Sequence, residues 1–339
     1  MAKSHPHLKY SIMAVSARQM ERRGVWNYHS PNSLALYQHA IHLLLPQLTT
    51  RSTPVIASCV ILCVLEMLSC SPKAWQRHLD GCATLLQAVG IHGFSGGLEQ
   101  SIFWCFSRMD VCGGIISSAR TLIPVSAYTP HTDLRGAIQL FRSTKDFGTY
   151  ANQACFLLAH AVDLLASIGS DMTGTLFSYS TSAAARDFTE RWKDLWVIID
   201  EWYQFRPDEM HPVFTSHAAD AAFPTILFSS AAGISGNQMY HTAAVLMLQH
   251  KPPAVDVTSK PRSILWHSRR IVGISRSNGH HGCWTNSLQP LWIAGKVFQS
   301  PEEHRIIVDI LEKIERESGW ATKWRIDDLR EWWATVEEA

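Results

Sequence analysis

The chain has 339 residues, 46% of them hydrophobic, enough apolar material for a substantial core. Thirty basic residues stand against 29 acidic ones, a net charge of +1, so no chain-wide basic field is available to collect phosphates. The charged fraction of 17% lies below the usual quarter, and with 13 Trp it points to surface hidden in a partner or in a thick helical core; apolar residues at helical spacing favour the core.

The amino terminus, MAKSHPHLKY, has no apolar stretch of the kind a secretory signal needs. The longest apolar run, Val55 to Leu65, meets Glu66 and is too short to cross a bilayer; a buried helix suits it. Ser30 and Pro31 predict the start of a helix, with Leu34, Tyr37, Ile41, Leu44, Leu45 and Leu48 along one face. Pro54 predicts the next helix start, and Ser71-Pro72 the one after, striped by Trp75, Leu79, Cys82, Leu86 and Val89 and ended by Gly90. Further helices are predicted over 149–168, 181–205, from the capping box Ser300-Pro301-Glu302-Glu303 to Gly319, and over Lys323 to Glu337. Segments 119–148, 169–181, 205–220, 251–262 and 277–286 read as loops, and no strand alternation is visible. The expectation is one all-α domain over residues 1–339, compact, with ten to twelve helices.

Few residue patterns suggest chemistry. The eight cysteines (59, 63, 70, 82, 105, 112, 155 and 283) include no C-x-x-C pair, so no zinc cluster is expected; most fall in apolar helical segments, where reduced thiols behave as small hydrophobes. Reduced thiols place the protein inside the cell. His39 and His42 lie on one helix face without a third ligand, and His280-His281 fall in a loop, so no metal is expected. Gly93-Phe94-Ser95-Gly96-Gly97 matches a nucleophile-elbow pattern, but a capped helix precedes it where an elbow needs a strand. Arg108 and Asp110 flank Met109 in an otherwise apolar segment, and Arg77 and Asp80 stand at helical i, i+3 spacing. They read first as a polar tie between two helices, and second as a clamp for a ligand. Arg22-Arg23 and Arg269-Arg270 are too short for a phosphate-binding or nuclear-import assignment. The Trp-rich helices supply core, with an aromatic small-molecule pocket as the other reading.

Arg77-His78-Leu79-Asp80-Gly81, the Gly90–Gly97 turn, and Trp104-Cys105-Phe106 with Arg108-Met109-Asp110 carry a family likeness. So do His5-Pro6-His7-Leu8-Lys9-Tyr10 through Glu21, Leu36 to Ala40, His241 to Leu248, and Ile271 to Ile274. Together they resemble the regulatory, or middle homology, region of fungal-specific zinc-cluster transcription factors. The zinc cluster that normally grips DNA, and its dimerising coil, are missing from these 339 residues. The resemblance implies a nuclear, all-helical regulator; the near-neutral charge and the missing cluster argue against direct nucleic-acid contact through this chain, and the short apolar run against a membrane. Such a regulator acts on a protein partner or small-molecule effector, as a homo- or hetero-oligomer; without the nuclear implication, the cytoplasm is the default. The alternative is a small-molecule-binding protein or enzyme of fungal secondary metabolism on the same scaffold. A non-enzyme is favoured, with no catalytic residues and no cofactor. The ligand-binding candidates are His78, Asp80, Trp104, Arg108 and Asp110.

Overall fold

Proline and small polar residues set most helix starts. The computed structural model describes residues 1–25, 32–130, 133–144, 146–169, 183–257 and 263–337. Among these the fold is all-α, with fourteen α-helices against the ten to twelve expected. Contacts group the chain into two units: Met1–Gly113 with Leu122–His131 and Leu311–Trp324, and Gly114–Thr121 with Thr132–Ile310 and Arg325–Ala339.

The first unit is built on α1 (Pro6–Arg22), α2 (Ser33–Leu44), α3 (Thr53–Ser69), α4 (Pro72–Val89) and most of α5 (Gly97–Ser117). A 3-10 turn, Leu45–Thr50, extends α2. Pro54 opens α3 at a position where its missing N–H costs nothing. Val55, Ile56, Cys59, Val60, Leu62, Cys63, Leu65 and Leu68 are buried on several sides of that helix, which makes it the core element. Ala14, Ala17, Leu36 and Leu65 form the seam where α1, α2 and α3 meet. The Glu21 carboxylate of α1 accepts from the backbone N–H and hydroxyl of Ser33, at 2.6 and 2.5 Å, and so fixes the start of α2. Asn32 is the observed cap of α2, its side chain accepting from the Ala35 N–H; the expected signals Ser30 and Pro31 lie outside the described residues. Gly90, at φ 74°, ends α4 as expected, in a left-handed conformation that suits a residue without a Cβ. Segment 311–324 belongs to this unit. Its Glu315 accepts from Arg22 at 2.6 Å and from the Thr322 N–H at 2.9 Å.

The second unit contains α6 (Leu134–Ser143), α7 (Phe147–Ala166), α8 (Ala183–Gln204), α9 (Ala231–Gln249), α10 (Ile264–Ser277), α11 (His281–Thr285) and α12 (Leu288–Gly295). The first part of α13 (Pro301–Ser318) and most of α14 (Lys323–Glu337) also belong to it. Helix α9 is buried from Gly233 to Met247 and runs through the core of this unit. Trp192 and Trp202 of α8 are buried, and their indole N–H groups donate to Met247 O and Tyr150 O, both at 3.0 Å. These tryptophans are core, as their helical spacing suggested.

Three expectations are corrected. Helix α6 occupies the segment read as loop 119–148, and α11 lies within 277–286. A two-stranded antiparallel hairpin, β1 (Phe214–Ser216) with β2 (Thr225–Leu227), stands where no strand was expected. Its outer edge at β2 is closed by side chains: the Ser277 hydroxyl accepts from Ile226 N–H, and the Asn278 amide oxygen from Phe228 N–H, each at 3.1 Å. Most of the expected loop 169–181, and residues 258–262, lie outside the described residues.

Candidate functional site

The α2 face read from sequence as one stripe divides into two. Ser33, Leu36, Ala40 and Leu44 are the buried positions, and Leu36 packs against Ala14 and Ala17 of α1 and Leu65 of α3. Leu34 is 49% exposed and Leu45 60%, so the core uses neither fully. Ile41, Leu44, Leu45 and Leu48 instead form one wall of a cleft of about 450 Å³. Cys59 and Leu62 of α3 line it, and the other wall is α4, through Arg77, His78, Gly81, Cys82, Thr84 and Leu85. The volume falls within the range of small-molecule sites, roughly 300–1,000 Å³.

The cleft holds few free polar groups. Burial pushes the Cys59 thiol up to about 11, and the Cys82 thiol is raised through its contact with Cys63 and by burial. Both are neutral thiols near pH 7 and add apolar surface. The Thr84 hydroxyl is spent on the Asp80 carbonyl at 3.0 Å. His78 Nδ1 lies 2.9 Å from Glu66 Oε1, and the Tyr37 hydroxyl donates to the same oxygen at 2.5 Å. Arg77 makes no ion pair among the described residues and is exposed at the cleft rim. Gly81 sits in mid-helix, where glycine costs roughly 0.5–1 kcal/mol relative to alanine. A Cβ added there would meet nothing within 4 Å.

The five ligand-binding candidates do not converge on this cleft. His78 lines it, and Asp80 is exposed on α4. Trp104 is buried, its indole N–H donating to the Gly93 carbonyl at 2.9 Å and its ring edge-to-face with Phe103 and Tyr128. Arg108 turns back on its own helix and donates to Trp104 O at 2.7 Å. Asp110 is 1% exposed and accepts from the backbone N–H groups of Leu122 and Ile123, at 2.8 and 3.0 Å. The polar tie expected between α4 and α5 is therefore a carboxylate clamp on the 122–123 backbone, because two aligned N–H donors satisfy both oxygens without a guanidinium.

Gly93-Phe94-Ser95-Gly96-Gly97 bridges α4 and α5, and Ser95 Oγ accepts from His92 N–H at 2.9 Å. A helix, with no strand, precedes it, so the elbow geometry is not formed. Among the described residues no three metal-ligating side chains gather, and all eight cysteines are free thiols. No helix among them is long and apolar enough to cross a membrane. The cleft residues Ile41, Leu45, Leu48, Leu62 and Leu85 carried no chemical motif. The usable signal was an excess of leucine around α2 beyond what one buried stripe requires.

Among the described residues the fold is helical, and the cleft lies in the first unit. The chain matches the fungal specific transcription factor domain over residues 1–335 and belongs to that family. It is similar to the transcription activator AMTR1 of Alternaria alternata, 23% identical over 331 residues, covering 80% of this chain and 43% of the relative. The chain thus spans less than half the length of that activator. No solved structure matches it.

Proposed function

We propose that this chain is a regulatory module of transcriptional control that acts in the nucleus through protein or effector contacts, with the cleft of the first unit as its working surface. The carrying observation is that cleft, walled by Ile41, Leu45, Leu48 and Leu85, whose apolar surface the core of the unit leaves open. Family membership and the activator relative support the regulatory role. The near-neutral charge supports a role in which the chain makes no sequence-specific DNA contact of its own.

The test tethers the full chain to a DNA-binding module with a known operator and reads a reporter. Output should differ from that of the module alone, and Leu45→Glu, at an exposed position, should abolish the difference. Output equal to the bare module's overturns the reading. A mobility-shift assay on the isolated chain should show only weak, salt-sensitive binding; tight, sequence-specific binding would contradict the proposed mode of action.

A further inference from the structure

We propose that the cleft between α2 and α4 binds a small organic acid, its apolar body between the leucine walls and over Gly81, and its carboxylate on the Arg77 guanidinium. This deepens the regulatory reading by naming the ligand class, and rests on it only for the biological role of binding.

Three observations converge. The twelve lining residues include Arg77 and no carboxylate, and the nearby Glu66 is bonded to His78 and Tyr37, so the guanidinium is the charge the cleft offers a ligand. The Thr84 hydroxyl is occupied within α4 and His78 Nδ1 is held by Glu66, which leaves the Arg77 guanidinium and His78 Nε2 as the groups able to orient a ligand. A guanidinium matches a carboxylate with two parallel N–H donors. The rest of the lining is leucine, isoleucine and neutral thiol, which accepts an alkyl or alicyclic body and offers polar substituents nothing.

Gly81 supplies the most telling constraint. Glycine is unfavourable inside a helix, and no atom of the protein within 4 Å would obstruct a side chain there. The backbone is left bare toward the cleft, as it is where a ligand lies close against it. A volume of about 450 Å³ suits a small molecule better than an entire partner helix.

The test titrates the purified full chain with dodecanoate and with uncharged dodecanol, below their aggregation concentrations, by calorimetry. Dodecanoate should bind one to one and dodecanol at least tenfold more weakly. Arg77→Gln should weaken dodecanoate about tenfold, the loss of one charge-assisted contact. Gly81→Ala should weaken it and Gly81→Leu should abolish it, while Tm of the free protein stays level or rises by about 2 °C. That pairing separates a ligand site from a folding defect. Absence of saturable binding, equal affinity for acid and alcohol, or binding indifferent to Gly81→Leu each overturns the proposal. A wild-type dimer that Gly81→Leu splits into monomers would assign the cleft to a second copy and overturn it too. A working tethered reporter alongside failed titrations would refute the acid ligand alone, leaving the regulatory reading in place.

Discussion

The Asp110 carboxylate accepts the Ile123 N–H at 3.0 Å from a position where the side chain is nearly shut off from water. Burial raises its pKa to about 6, against the lowering effect of the Ile123 and Leu122 N–H bonds and with a further push from Asp80. A carboxyl whose folded pKa exceeds its unfolded value of 3.8 takes up protons more readily in the folded state. Its contribution to stability therefore falls as pH rises from about 4 to about 6. Relative to Asp110→Asn, the wild type should lose up to about 3 kcal/mol across that window, from a shift of about two pKa units. Urea midpoints of both proteins against pH measure it; parallel profiles would refute it. Asp110→Asn should itself be about 1–3 kcal/mol less stable at pH 5, because its amide nitrogen faces a backbone donor.

His160 on α7 gives the opposite slope. Its Nε2 is buried and has no hydrogen-bond partner among the described residues, and burial, helped by Arg191, lowers the ring to about 4. The unfolded chain takes up the proton first, so stability is lost as pH falls from about 6.5 to about 4. Relative to His160→Leu, that loss should reach about 3 kcal/mol. At pH 7 the leucine variant should lie within about 1 kcal/mol of wild type, since the replaced nitrogen has no bond to lose. A variant with an unchanged acid limb would contradict the assignment.

Gly93 cannot carry a side chain. A Cβ there would stand 2.5 Å from Trp104 Cζ2 and 2.9 Å from the Tyr128 carbonyl. The Gly93 N–H donates to that same carbonyl at 2.9 Å, so the turn cannot retreat without losing a bond. Gly93→Ala should cost about 1–3 kcal/mol, as overpacking of a filled core does. Wild-type stability for this variant would show that the 91–96 turn has slack.

Arg325 is 3% exposed, and its guanidinium donates to Gln289 Oε1 through Nε at 3.0 Å and through a second nitrogen, and to Asp328 at 2.6 Å. Gln289→Leu removes a neutral acceptor of two bonds from a buried cation. The expected cost is about 3 kcal/mol, seen as a lower denaturant midpoint. The double variant Gln289→Leu, Arg325→Met should recover part of it, and failure to recover would mean that the pair itself is not the source.

Helix ends marked by proline, a polar cap or glycine were legible, α3 at Pro54 and α4 from Ser71-Pro72 to Gly90, and α14 (Lys323–Glu337) was legible as a Trp-rich helix. Helix α6 escaped because its flanks are polar, yet Asp133 caps it and Ala137, Ile138 and Phe141 form a helical stripe. The hairpin escaped because three-residue strands are too short to show alternation, and all of β1 is exposed. Of the candidate site, His78 was named as a ligand-binding candidate and Arg77 was visible through its i, i+3 spacing to Asp80. The cleft was not, since period alone cannot tell a leucine facing the core from one facing a void. Asp110 and Trp104 were named as ligand-binding candidates, and the bonds of the Asp110 carboxylate and the Trp104 indole run to backbone groups, which leave no trace in composition.

Glu66 receives the Tyr37 hydroxyl from α2 and His78 from α4 on a single oxygen. One carboxylate therefore pins the two helices together at that end, like the rivet of a pair of tongs. Any widening to admit a guest must occur by the far tips, near Leu45 and Leu48, and Glu66→Gln should loosen the grip of the jaws without altering what they grip.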